Sequence, residues 1–233
     1  MRQPGEIARV IDHAILHPAL QLGELELGLD LASELGAWAV CVKPCDVKTA
    51  VSRLAGSTTC VCSVVAFPHG NALTEVKVNE AKRALEDGAA EIDYVVNISQ
   101  AITGDFENIQ REMNDMNQVV LGHKALLKVI FENAYLDDTT KTRLCKIARC
   151  LGVAYVKTST GFASGAGPQD SVGASIHDVE LMVRECVPIC KVKASGGIRS
   201  LEKLERFLDA GASRIGTSST REIIAQARRR SSG

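Results

Sequence analysis

The sequence predicts an α/β protein, a single (β/α)8 TIM barrel over residues 1–233, and three observations carry this prediction. Eight short runs rich in β-branched residues recur along the chain, amphipathic helical patterns lie between them, and the length suits eight such units. Apolar strands that alternate with helices are typical of a parallel sheet covered by helices.

The predicted strands follow one another at intervals that leave room for a helix. Between them, "LTEVKVNEAKRALEDGA" and "SLEKLERFLDAGA" place apolar residues three and four apart, which indicates one buried helical face. The eight strand-like runs occupy residues 9–16, 37–42, 60–67, 90–96, 125–132, 153–159, 189–195 and 213–218.

Three of the joints between a helix and the next strand share a Gly-Ala pair, at Gly36, Gly88 and Gly211. We expect the glycine to supply a left-handed residue that ends the helix. A doubly wound sheet is the main rival fold, but it usually has fewer strands and a glycine-rich turn after the first strand. "GAGPQD" from Gly165 follows no strand directly, so we interpret it as an extended loop after strand six.

Composition excludes several classes of protein. The chain is 45% hydrophobic with a formal net charge of -1, and its basic residues are scattered, so we expect neither nucleic acid nor a membrane as a partner. The N-terminus lacks an apolar leader, which predicts a cytosolic protein with reduced thiols. "CVKPC" from Cys41 and "HAILH" from His13 lack the remaining ligands of a zinc site, so no metal is expected.

Polar residues interrupt the predicted strands near their ends. In a barrel the carboxyl ends of all strands meet at one face, where the chemistry takes place, so we expect these side chains to crowd one mouth. His69, after strand three, is expected to face the same region. The polar residues in question are Asp12, Cys41, Lys43, Asp93, Asn97, Lys128, Glu132, Lys157 and Lys193.

Lys157 and Lys193, on the neighbouring strands six and seven, are the most specific feature. Adjacent parallel strands lie about 4.8 Å apart, so two inward lysines can disfavour each other's protonation and yield a neutral amine that attacks a carbonyl. Asp93 could then move protons. The alternative is that these lysines reach solvent or form a purely structural ion-pair network, and Lys128 fits either a network or a substrate contact.

Two glycine-rich segments, "KASGGIRS" and "RIGTSST", follow strands seven and eight, whose loops often form a phosphate site in barrels. Gly196 and Gly197 would let backbone N–H groups approach an anion, and a helix beginning near Ser200 would add its positive end. Ordinary turns also use glycine and serine. The residues predicted to close the other side are Gly216, Ser218 and Ser219.

The order and spacing of these motifs resemble the deoxyribose-phosphate aldolase family of class I aldolases. The resemblance covers nearly the whole chain, and the motifs that carry it are "IDHAILHP", "VCVKP", "VVAFPHG", "EIDYVVN", "LKVIFE", "VKTSTGF", "VKASGGIRS" and "RIGTSS".

The resemblance implies that Lys157 forms a Schiff base, that Lys193 is its electrostatic partner and that Asp93 relays protons. It implies reversible cleavage of 2-deoxy-D-ribose 5-phosphate into D-glyceraldehyde 3-phosphate and acetaldehyde, with no metal or other cofactor. The remaining implied residues are Asp12, Cys41, Lys128 and Thr158 in the substrate pocket, and Gly161, Gly196, Gly197, Gly216, Ser218 and Ser219 at the phosphate.

The chain departs from the family pattern in three places. Threonine and lysine are usual where Ala14 and His17 stand, and glycine and often leucine where Ala66 and His69 stand. The segment from Gly161 to Glu180 looks several residues longer than usual and is expected to overhang the pocket.

These departures keep two alternatives open. One is a related lysine-dependent aldolase with another carbonyl donor or an unphosphorylated acceptor, and the other is a non-catalytic barrel that binds sugar phosphates. A homodimer or higher homo-oligomer is compatible with the sequence, which identifies no interface.

Overall fold

The structure is a computed structural model that describes residues 2–164 and 173–231. Eight parallel strands follow one another in chain order around a closed barrel, which confirms the predicted fold. Closure comes from β1, which pairs with β2 on one side and with β8 on the other. The strands are β1 (Ile11–Ile15), β2 (Ala39–Val42), β3 (Cys60–Val65), β4 (Glu91–Val95), β5 (Leu126–Ile130), β6 (Tyr155–Lys157), β7 (Lys191–Ser195) and β8 (Arg214–Thr217).

Helices follow the strands and surround the barrel. Each predicted strand is present but shorter than its apolar run, because the run extends into the loop at one or both ends of the strand. Short 3-10 turns at Pro44–Asp46 and Asn133–Tyr135 follow β2 and β5. The described helices are α1 (Pro4–Ala8), α2 (Leu22–Leu35), α3 (Val47–Arg53), α4 (Thr74–Glu86), α5 (Ile98–Thr103), α6 (Phe106–Gly122), α7 (Asp138–Cys150), α8 (Ile176–Cys186), α9 (Leu201–Asp209) and α10 (Thr220–Ser231).

Local sequence explains where several helices begin and end. The side chains of Asp105, Asp137, Ser175 and Ser200 accept a backbone N–H from the first turn of α6, α7, α8 and α9. At the C-terminal ends of α2, α4 and α9, Gly36, Gly88 and Gly211 have φ angles of 72°, 103° and 100°. The prediction that a glycine with positive φ ends the helix is confirmed at all three joints.

The main apolar core lies between the outward face of the strands and the helices, where residues such as Val40, Ile92, Val129 and Val192 are fully buried. The interior of the barrel is different. It holds a small apolar cluster of Ala39, Cys41, Cys62 and Val64 together with many charged side chains. In the described ranges, no helix combines the length and apolar character that crossing a bilayer requires.

Candidate active site

A layer of seven charged side chains fills the barrel interior, and all seven are at most 4% exposed. Charged residues of the strands are predicted to lie at the mouth, but most of these seven lie deeper, because the strands continue past them; only Lys157 ends its strand. This charged layer consists of Asp12, Glu91, Asp93, Lys128, Lys157, Lys193 and Arg214.

Asp93 on β4 is the centre of the charged layer. Its Oδ1 accepts from the Nζ of Lys128 at 2.7 Å, and its Oδ2 accepts from the Nζ atoms of Lys157 and Lys193, each at 2.8 Å. The strand register brings these residues together, since Asp93 is paired with Lys128, and Lys157 with Lys193. Burial acts to raise the pKa of Asp93, but the three ammonium groups outweigh it and hold that pKa well below its usual range.

Lys193 is held by a second carboxylate. Its Nζ donates to Oδ2 of Asp12 at 2.5 Å, and Oδ1 of Asp12 accepts from Arg214 at 2.7 Å. Burial acts to lower the pKa of Lys193, but Asp12 and Asp93 outweigh it, so the pKa lies above its ordinary value. Burial acts to raise the pKa of Asp12, whereas Lys193, Lys128 and Arg214 lower it to about 2. Lys193 therefore stays positively charged.

The three lysines differ in how many anions hold them. Within residues 2–164 and 173–231, Lys157 has one ion-pair partner, Asp93, whereas Lys193 has two and Lys128 has three. Lys157 is also the most exposed of the three, at 3%. Removing a proton from Lys157 thus disrupts one ion pair, and it leaves three cations against the three carboxylates of the charged layer.

A cavity of about 500 Å³ opens above the charged layer at the carboxyl ends of the strands. Both Lys157 and Lys193 reach its wall, together with Asp12 and Cys41, whereas Asp93 lies behind them and is fully buried. The cavity therefore offers an amine to a small ligand while it shields the carboxylate that neutralises the amines.

One side of the cavity is formed by loops with unusual backbone geometry. Gly161, Gly196 and Gly197 have φ angles of 86°, 93° and 69°, a region that favours glycine. At Gly216 a side chain would crowd Ser195 and Lys193, because a Cβ there would lie 2.8 Å from Ser195 Cβ and 3.2 Å from Lys193 Cε. These glycines expose backbone to the cavity, as binding of an anion requires.

A possible metal site lies beside the lysines. The donor atoms of Cys41, Cys62 and Asp93 lie within 4.8 Å of one another. However, both oxygens of Asp93 already accept from ammonium groups, and the layer holds more cations than anions. We therefore assign no metal to this cluster.

Comparison with known proteins identifies the family of this chain. The model of a protein family, described as DeoC/LacD family aldolase, matches residues 7–226. The chain belongs to this family.

Individual relatives agree with the family match. A deoxyribose-phosphate aldolase of Rhodopirellula baltica is 38% identical over 227 residues, which cover 97% of this chain and 91% of that protein. A Thermococcus kodakarensis protein of the same name is 42% identical over 221 residues, covering 94% of this chain and 96% of that protein. The deoxyribose phosphate aldolase of Aeropyrum pernix, described as tetrameric, matches with a TM-score of 0.87 and 31% identity over 97% of this chain and 92% of its own.

The cavity wall of this aldolase contains most, but not all, of the residues expected from its sequence. Lys128 lies beneath the cavity, and Thr158 is buried, accepting from the backbone N–H of Ser195 at 3.1 Å. Ser219 donates its backbone N–H to Thr217 instead of lining the wall. The predicted residues that do line it are Asp12, Cys41, Lys157, Lys193, Gly161, Gly196, Gly197, Gly216 and Ser218.

Other expected positions lie elsewhere in the aldolase. His69 is exposed and lies outside the cavity wall. Asn97 caps α5 through a bond from the backbone N–H of Gln100, and Lys43 pairs with Asp46. The α9 N-terminus at Ser200 also lies outside the wall, where the Ser200 hydroxyl accepts from the helix itself.

The long segment from Gly161 to Glu180 is described only in part. Residues 165–172, which include "GAGPQD", lie outside the described residues. The last five residues of the segment belong to α8, which begins at Ile176.

Several cavity residues were not selected from the sequence as site residues. Arg199 follows the two glycines after β7, and Thr160 follows β6. His17, noted only as a departure from the family pattern, also lines the cavity. Arg199 could have been found, because a cation two residues after Gly-Gly suits an anion site. Thr160 gave no comparable signal.

Proposed function

We propose that the protein cleaves 2-deoxy-D-ribose 5-phosphate reversibly to D-glyceraldehyde 3-phosphate and acetaldehyde, through a Schiff base on Lys157. The relatives' shared name, deoxyribose-phosphate aldolase, supports the substrate. One observation carries the mechanism. Lys157 reaches the cavity wall beside Lys193, and both lysines donate to the buried carboxylate of Asp93.

Lys157 is the nucleophile because its deprotonation costs less free energy than that of Lys193 or Lys128. A neutral amine is required for attack on a carbonyl, and deprotonation of Lys157 disrupts one ion pair instead of two. Lys193 keeps its charge through Asp12 and Asp93, so it acts as a fixed cation beside the reacting nitrogen.

The chemistry then follows in balanced steps. The amine of Lys157 adds to the aldehyde carbon C1 of the open-chain sugar, and loss of water gives an iminium ion. Loss of the C3 hydroxyl proton breaks the C2–C3 bond, which releases glyceraldehyde 3-phosphate and leaves an enamine on Nζ. Protonation of the enamine carbon and addition of water release acetaldehyde and restore the amine.

Asp93 serves these proton transfers from behind the lysines. Its Oδ2 lies 2.8 Å from the nitrogen of Lys157, so it can take a proton directly from that nitrogen. It is fully buried, so it reaches the sugar only through an amine or a water molecule. At the uncharged carbinolamine stage two ammonium groups instead of three face Asp93, which makes it a better base.

The phosphate of the substrate binds at the glycine side of the cavity. Gly161, Gly196 and Gly197 offer backbone N–H groups there, and Ser218 adds a hydroxyl near the start of α10. Arg199 contributes a positive charge to the same side. The aldehyde end then points towards Lys157.

Borohydride trapping tests this proposal. With 2-deoxyribose 5-phosphate, reduction should leave one covalent adduct on Lys157, detected by peptide mass spectrometry, and Lys157→Ala should abolish both the adduct and turnover. Lys191→Ala, which removes an exposed lysine from β7, is the matched control and should keep both. Near-normal turnover by Lys157→Ala would refute the assignment.

We further propose that the aldolase self-associates. Large apolar side chains are exposed on α2, at Leu22 and Leu27, and at the start of α4, at Leu73 and Val76. Light scattering coupled to gel filtration gives the assembly state, and a monomer at micromolar concentration would contradict the proposal. The cytosolic location stays a prediction from the sequence.

A further inference from the structure

Glu132, two residues after the end of β5, combines three features that are energetically unfavourable. It is a non-glycine residue with a left-handed φ angle of 58°, and it is 1% exposed. Its Oε1 has no hydrogen-bond partner within the described ranges 2–164 and 173–231. Burial raises the pKa of this carboxyl, although Thr160 and Lys157 act in the opposite direction. Strain and an unpartnered buried oxygen often mark a functional position.

The other oxygen of Glu132 holds the segment that follows the proposed nucleophile. Oε2 accepts from the backbone N–H of Thr160 at 3.2 Å and from the Thr160 hydroxyl. The same hydroxyl oxygen accepts from the backbone N–H of Phe162 at 3.0 Å. The carboxylate therefore bonds to one end of the turn Thr160–Phe162 and, through that hydroxyl, to its other end.

The far end of this turn packs against a different loop. The ring of Phe162 meets the ring of Phe67 edge to face, with centroids 5.4 Å apart. Gly161, between the two anchored residues, lines the cavity with its backbone in the left-handed region. Movement of either anchor would redirect the N–H groups of the turn.

Backbone hydrogen bonds join the ends of β5 and β6 just before the turn. Phe131 donates its N–H to the carbonyl of Lys157 at 3.0 Å, and Asn133 donates to the carbonyl of Thr158 at 2.9 Å. Beyond Thr158 the turn leaves the sheet, and the carboxylate of Glu132 continues the connection where backbone pairing ends.

We propose that Glu132 is a positioning residue that holds the turn Thr160–Phe162 in the conformation that binds the substrate phosphate. The inference rests on the proposed function, which supplies the phosphorylated substrate. Glu132 acts through hydrogen bonds to Thr160, not by contact with the sugar.

The test compares four single variants and one double variant on two substrates. Glu132→Ala removes both hydrogen bonds of the carboxylate to Thr160, and Thr160→Val removes the one from the hydroxyl. Glu132→Gln and Thr160→Ser keep an acceptor and a hydroxyl. Initial rates are measured with 2-deoxyribose 5-phosphate and with unphosphorylated 2-deoxyribose. The concentration of inorganic phosphate that half-saturates its effect on Tm gives a second readout that needs no turnover.

Glu132→Ala and Thr160→Val should raise KM for the phosphorylated sugar about tenfold, the loss expected for one hydrogen bond to a charged group. KM for 2-deoxyribose should stay unchanged, phosphate should bind about tenfold more weakly, and the Ala/Val double variant should be no worse than Glu132→Ala. Glu132→Gln and Thr160→Ser should stay within about threefold of the wild type.

Equal rises in KM for both sugars, additive effects in the double variant, or unchanged phosphate binding would overturn the inference. A Glu132→Gln variant as impaired as Glu132→Ala would do the same, because it would indicate a role for charge. A wild-type protein without turnover or a Lys157 adduct would instead refute the proposed function, and the phosphate measurement would still test Glu132.

Discussion

Replacement of Lys193 by methionine tests whether a fixed charge controls the reacting amine. The nitrogens of Lys157 and Lys193 each lie 2.8 Å from the same oxygen of Asp93, so they are no more than about 5.6 Å apart. At an effective dielectric constant of about 20, two unit charges at this distance repel by about 3 kcal/mol, which corresponds to about two pH units.

The expected result is a shift of the acid limb of the pH–rate profile by about two units towards higher pH in Lys193→Met. The sign follows from the chemistry: removal of the neighbouring cation favours the ammonium form of the nucleophile, so the neutral amine appears only at higher pH. Lys193→Arg retains the charge and should keep the limb near its original position.

The assay is the rate of borohydride-dependent inactivation with 2-deoxyribose 5-phosphate between pH 5 and 10, since it reports imine formation directly. Loss of Lys193 also destabilises the fold, by up to about 3–5 kcal/mol. Asp12 keeps Arg214, and Asp93 keeps Lys128 and Lys157, so a folded variant is expected, which circular dichroism can verify. Identical acid limbs in wild type and Lys193→Met would refute the electrostatic argument.

Burial lowers the pKa of His13 from 6.5 to about 4, so the unfolded chain takes up a proton that the native state excludes, and stability should fall by about 3 kcal/mol between pH 6.5 and 4. His13→Asn, which offers the Thr220 hydroxyl a polar partner, should lose that part of the slope in urea titrations; parallel curves would contradict this. Gly216→Ala should lower kcat about tenfold or more by displacing Ser195 and Lys193, whereas Gly23→Ala, with open space around it, should not; equal kcat values would argue against the steric account. Heating should give one cooperative transition by calorimetry, because one closed sheet joins the chain; two separate transitions would indicate two folding units.

Much of the fold could be predicted because the information is local. An apolar run such as residues 60–67 reveals a strand through its β-branched residues, and Gly88 reveals the end of a helix through its permissive backbone. The ends of the strands were harder to predict, since hydrophobicity continues into buried loops. For this reason Lys128 and Asp93 were expected near the rim, although they lie inside the barrel.

The partners of the site residues could not be predicted from local patterns. Arg214 and Glu91 belong to the charged layer, yet no local pattern marks either of them, because each begins a strand shortly after a helix, a position that suits an exposed residue. Arg214 bonds to Asp12, 202 positions away in sequence. Only closure of β8 onto β1 brings the two together.

Three features follow from local sequence alone, since each depends on residues close together in the chain: the alternation of strands and helices, the eight-fold repeat and the presence of lysines on two neighbouring strands. The tertiary structure alone decided which lysine is least restrained, because that depends on how many carboxylates from distant strands surround each nitrogen. It also decided that Glu132 holds Thr160, a contact that exists only because β5 and β6 lie side by side.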